Sequence, residues 1–215
     1  MATATAYLDR VLPAIDRLAD RFTAVVAAAP DPAAPIPGSD WTVREATAHV
    51  VTVTRRFSDR PEGRGTWVRD PRELGALNDA QIEALGDLDM AALADRLRRE
   101  LAALTAQVRA YGESPPSFTF HGGEEVAADV ALGILLGELV VHGWDIAAAT
   151  GRDYTCEPEL LQAACQFVEQ AVAQNPNGSP GMFGPPVQVP DNASQLDRLI
   201  GLTGRDPAWR PDGDN

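Results

Sequence analysis

Glu138 and His142 lie four residues apart in a stretch that reads as helix, so their side chains emerge on one face with Cβ atoms about 5–6 Å apart. That spacing suits two ligands of one metal ion. Asp145 follows one turn later, at about 60° around the same helix from His142, where it can orient the imidazole or touch a ligand. His49 belongs to another helical stretch, three residues after Ala46 and four before Val53, flanking its inward face. Alone, such a histidine is more often a satisfied core residue than a ligand, and an isolated Glu-x-x-x-His also occurs by chance on solvated helix faces.

The joint pattern says more. In a helical bundle, two facing helices can supply one ligand and a ligand pair, giving a two-histidine, one-carboxylate set that leaves a coordination position open. An open position points to catalysis or ligand binding rather than to a structural plug. The third histidine, His121, sits on a glycine-flanked loop, where it is either simply solvated or placed to line the mouth of such a site.

Composition narrows the chemistry. All 18 basic residues are arginine, which excludes Schiff-base lysine chemistry and the lysine of a phosphate-binding loop. The formal charge of −13 is spread along the chain, so a phosphate backbone is repelled and nucleic acid is not an expected partner. His-Glu-x-x-His, Gly-x-Gly-x-x-Gly and Gly-x-Ser-x-Gly are all absent. Cys156 and Cys165 form no Cys-x-x-Cys pair and read as packing or surface thiols. Trp41, Trp67 and Trp144 read as core anchors. With no run of 18 apolar residues and no basic-then-apolar leader after Met1, the expected location is the cytoplasm, away from membranes.

These residues need elements to hold them, and 215 residues with a hydrophobic fraction of 45% suffice for one core. Apolar residues from Leu8 to Val26 recur at helical steps, predicting a helix over 3–29 that the prolines at 30, 32, 35 and 37 stop. Thr42-x-x-Glu45 is a capping box opening a second helix to about Phe57. A loop at 58–70, a short helix within 71–85 and a third long helix over 89–111 follow. Phe118 to Gly123 reads as a short extended piece before a glycine turn. Residues 124–150 form a helix apolar on most sides, suited to the middle of a bundle, and 158–174 another with Pro158 in its first turn. The expected organisation is a helical bundle over 1–174 and an irregular tail over 175–215, packed on the bundle and frayed after Arg210.

Three segments carry a resemblance. Trp41-Thr42-Val43-Arg44-Glu45 leading to His49, Glu138-Leu139-Val140-Val141-His142-Gly143-Trp144-Asp145 leading to Gly151, and the tail with Phe183-Gly184-Pro185-Pro186 and Gly204-Arg205-Asp206-Pro207 together resemble an actinobacterial family. That family shares the N-terminal domain of mycothiol-dependent maleylpyruvate isomerase, within the DinB-like metal-binding bundles. The resemblance implies an all-α four-helix core, a divalent metal, zinc foremost, on His49, Glu138 and His142, and an open site for a low-molecular-weight thiol such as mycothiol. The full isomerase has a further C-terminal domain that this chain is too short to contain.

Zinc favours the thiolate of a coordinated thiol, much as it lowers the pKa of bound water from 15.7 to about 7. Such a thiolate can add to an activated alkene and be expelled after bond rotation, or displace a leaving group. The function expected is therefore thiol-dependent S-transfer or cis–trans isomerisation of a small molecule, in a monomer or homodimer. Asp145 would then support a ligand or contact substrate, while Arg44 would steer an anionic substrate. Two other readings keep the pocket: a metal-dependent hydrolase or tailoring enzyme of secondary metabolism, and a non-catalytic small-molecule-binding protein.

Overall fold

Helix α1 (Ala4–Ala28) turns one stripe inward, where Ile15, Leu18 and Phe22 are fully buried. It continues through Pro13, whose ring lies on the exposed side and whose missing amide forfeits one helical hydrogen bond. The computed structural model describes residues 4–58, 68, 70–110, 117–119, 125–179 and 181–211. His121 and Trp67 lie outside the described residues.

The capping box forms as the sequence predicts. Thr42 Oγ1 accepts from the Glu45 amide at 3.3 Å while the Glu45 carboxylate accepts from the Thr42 amide at 2.7 Å, opening α2 (Val43–Ser58). A single 3₁₀ turn (Pro71–Glu73) leads into α3 (Leu74–Glu83), and α4 (Met90–Ala110) starts with the Asp89 carboxylate accepting from the Ala92 amide at 2.8 Å.

Strands β1 (Phe118–Thr119) and β2 (Glu125–Val126) pair antiparallel, with Phe118 opposite Val126. Helix α5 (Ala128–Ala149) consequently begins four residues later than the sequence predicts, because Glu125 and Val126 pair with β1 and Ala127 is extended. Helix α6 (Pro158–Gln174) matches its predicted bounds. Within the tail, expected to be irregular, α7 (Gln195–Leu202) forms instead. Ser194 Oγ caps it by accepting from the Asp197 amide at 3.0 Å, and Leu199 and Ile200 bury its inner face.

Helices α1, α2, α4 and α5 make the four-helix bundle, with α1 and α2 each packed against both α4 and α5. Helix α6 lies outside on α5, and α7 on α6. By length and composition α5 could cross a bilayer, yet most of it is buried among the other helices, as the central helix of a bundle must be. The contact of α2 with α5 sets His49 against the Glu138 and His142 pair.

Candidate metal centre

The donor atoms of His49, Glu138 and His142 all lie within 4.8 Å of one another. His49 Nε2 stands 3.3 Å and His142 Nε2 3.2 Å from the same Glu138 oxygen, Oε2. Ligand atoms around a tetrahedral zinc ion with bonds near 2.0–2.1 Å are spaced about 3.3 Å apart, so each nitrogen already stands at coordination spacing from the carboxylate oxygen. These residues fit a divalent ion of the zinc type. Both histidines are buried, whereas the Glu138 side chain is 24% exposed and marks the side from which the site is reached.

Behind His142 stands a chain of buried charges. His142 Nδ1 is 2.9 Å from Asp145 Oδ2, which leaves Nε2 for the donor cluster. Asp145 is itself gripped by Arg205 from the tail, Nε to Oδ1 at 2.7 Å and Nη2 to Oδ2 at 2.9 Å, and Arg205 Nη1 donates to the Thr203 carbonyl at 3.2 Å. Burial would raise the Asp145 carboxyl, but Arg205 and His142 outweigh it and hold the group below its ordinary range. For His142 burial disfavours the charge, yet Asp145 and Glu138 reverse this and lift it to about 9. Burial would likewise raise Glu138, but His49 and His142 push it well below the usual carboxylate range. Burial dominates at His49 and lowers it despite Glu138, so this imidazole is neutral at pH 7.

Local packing explains two glycines around the site. Gly38 has φ +76°, and a Cβ there would stand 2.7 Å from Arg205 Cγ, so the position serves both the turn and the passage of the arginine. Gly143, beside His142, receives the Tyr154 ring, whose hydroxyl oxygen would be 2.6 Å from an added Cβ.

Trp41 is more than a core anchor. It is partly exposed, with its ring centroid 4.6 Å from that of His49 and 6.2 Å from that of His142, and its indole N–H donates to Asp79 at 3.3 Å. Arg44 is turned elsewhere: its guanidinium donates to the Leu88 and Gly86 carbonyls, and it lines a groove with Trp41 and Asp79 rather than the cleft beside Glu138. The arginines that do lie near the donors are Arg205 and Arg56. Arg56, two turns after His49, is buried, donates to Gln81 and Asn78 at 2.6 Å each, and is lowered to about 10 by burial against the pull of Glu138. Cys156 and Cys165 are free thiols, and burial raises Cys156 to about 11.

A cleft between α5, α6 and the tail opens onto Glu138, His142 and Arg205, with Val141, Phe183 and Thr203 among its walls. Residues 3–147 match the family described as the mycothiol maleylpyruvate isomerase N-terminal domain. The chain belongs to that family. The chain is similar to two uncharacterized proteins of Mycobacterium tuberculosis, from strains CDC 1551 and H37Rv, each 27% identical over 197 residues, covering 90% of this chain and 97% of theirs. Two crystal structures of the mycothiol-dependent maleylpyruvate isomerase share the fold. A histidine-to-alanine mutant matches with a TM-score of 0.58 at 16% identity, and a second structure with 0.53 at 14%. Each alignment covers 82% of this chain and 74% of the isomerase, so the maleylpyruvate isomerase-type, DinB-like bundle is the architecture of this protein.

Proposed function

We propose that this member of the maleylpyruvate isomerase N-terminal family is a metal-dependent enzyme that uses a low-molecular-weight thiol of the mycothiol type for S-transfer or cis–trans isomerisation of a small molecule. One observation carries the reading: two imidazole nitrogens stand 3.3 and 3.2 Å from one carboxylate oxygen, at the end of a cleft. His49, Glu138 and His142 would hold the ion. A divalent ion bound there supplies stabilisation of a thiol in its ionised form at neutral pH.

The protein's own groups do the rest. Asp145 accepts the His142 Nδ1 proton and so fixes the tautomer that frees Nε2. Arg205 keeps Asp145 ionised for that task. Trp41 covers the His49 side and excludes water there, which leaves approach through the cleft past Glu138. The reacting thiol must come from outside the chain, because neither cysteine lines this cleft and Cys156 is pushed far above neutrality.

The test is elemental analysis of protein purified without added metal, followed by titration of the cobalt-substituted protein with mycothiol. We expect near-stoichiometric metal and a sulfur-to-cobalt charge-transfer band on adding thiol. Metal without any response to saturating thiol would favour the hydrolase or the binding protein. Absence of metal binding would reject the proposal.

A further inference from the structure

The cleft beside Glu138 and His142 does not end there. It shares Ile134, Phe167, Ala171 and Met182 with a second cleft running outward between α5 and α6, so the two form one continuous groove. From Glu138 back to Val130 the helix rises about 12 Å. Val130 and Met182, 41% and 38% exposed, are the exposed large hydrophobic residues among the described ones, and both line the outer part. Opposite them α6 presents the amides of Gln166, Gln170 and Gln174.

The charges along this groove are as telling as its apolar walls. Among the described residues its one arginine is Arg205, whose guanidinium is hydrogen-bonded to the Asp145 carboxylate and to the Thr203 carbonyl. No described lining residue offers a cation for a substrate carboxylate at the outer end, in a chain of net charge −13. We infer that the substrate is an elongated, uncharged molecule whose reactive end lies at the metal centre, whose apolar body lies along Ile134, Phe167 and Met182, and whose far end hydrogen-bonds the α6 amides. This rests on the metal-centred reading above, and it sets the substrate apart from small dicarboxylates.

Alkyl hydroxamates, which chelate an accessible metal and carry a tail of chosen length, test it on the cobalt-loaded full chain. Acetohydroxamate should perturb the cobalt spectrum, and affinity should rise with tail length to octanohydroxamate by up to about fourfold per buried methylene. The mono-hydroxamate of suberic acid, of similar length with a terminal carboxylate, should bind at least about tenfold more weakly than octanohydroxamate, the cost of desolvating an unpaired charge. Met182→Asp should flatten the length series while the cobalt content of the protein stays stoichiometric. A flat series in the unaltered protein, or tighter binding of the carboxylated probe, would overturn the groove assignment with the metal site intact. A cobalt spectrum unmoved by acetohydroxamate would instead reject the open metal site itself, and the inference would fall with it.

Discussion

Arg205 grips Asp145 with two hydrogen bonds of 2.7 and 2.9 Å across 60 residues of sequence, and both side chains are buried. A bidentate guanidinium–carboxylate pair of this kind fixes orientation as well as charge. Through Asp145 it reaches His142, so an arginine of the tail positions a proposed ligand on α5.

Removing Arg205 therefore leaves a buried carboxylate without its partner. Arg205→Met should cost about 3–5 kcal/mol of stability. In the folded fraction it should weaken metal binding about 10–100-fold by freeing the His142 support. Arg205→Lys restores the charge but not the paired geometry, and should recover only part of both. Urea unfolding and chelator competition measure the two effects. An unchanged metal affinity in a folded Arg205→Met variant would break the proposed chain from tail to ligand.

Asp145→Asn separates support from coordination. Asp145 faces His142 Nδ1, on the far side of the ring from the donor cluster, so the variant should keep a metal ion but bind it roughly 10–100-fold more weakly. Metal content after dialysis against a graded chelator series reads this out. Spectroscopic detection of the Asp145 carboxylate on the ion would contradict the assignment.

Much of this centre is legible in the sequence, for a physical reason. Glu138 and His142 are related by helix periodicity, which is local, and the Thr42 and Glu45 capping box fixes where the helix bearing His49 begins. Arg205 and Asp145 are both visible in the sequence, but their pairing is not, because no local rule relates residues 60 positions apart. The only signals for α7, which precedes it, are Ser194 as a cap and the spacing of Leu196, Leu199 and Ile200, set among prolines and glycines that suggest irregular chain. Trp41 illustrates the complementary failure: composition assigns tryptophan to the core, and only the packing of the 30–42 segment brings the ring against His49.

Metal uptake should release protons in a defined pH window. In the metal-free protein His142 is raised to about 9 and so is protonated at pH 7.5, whereas His49 is lowered and Glu138 is ionised. Binding must expel the His142 proton, so affinity should fall about tenfold per pH unit below about 9 and level off above it. Titration calorimetry in buffers of different ionisation enthalpy at pH 7.5 should report about one proton per ion. Zero protons released would place His142 neutral before binding.

Gly38→Ala tests the path of Arg205 without touching a charge. The positive φ and the 2.7 Å approach to Arg205 Cγ together should destabilise the fold by about 1–3 kcal/mol and weaken metal binding in step with the displaced arginine. Thermal unfolding with and without bound metal checks both. Full stability together with full affinity would mean that Arg205 takes up the added methyl without moving.

The most direct measurement is X-ray absorption at the metal edge of the loaded protein, before and after adding mycothiol, with His49→Ala, Glu138→Ala and His142→Ala as controls. The proposed centre predicts two imidazole nitrogens and carboxylate oxygen near 2.0–2.2 Å, a new sulfur scatterer near 2.3 Å once thiol is present, and loss of stoichiometric metal in each control. A first shell lacking the two imidazoles, full occupancy in any two of the controls, or no sulfur at saturating thiol would contradict it.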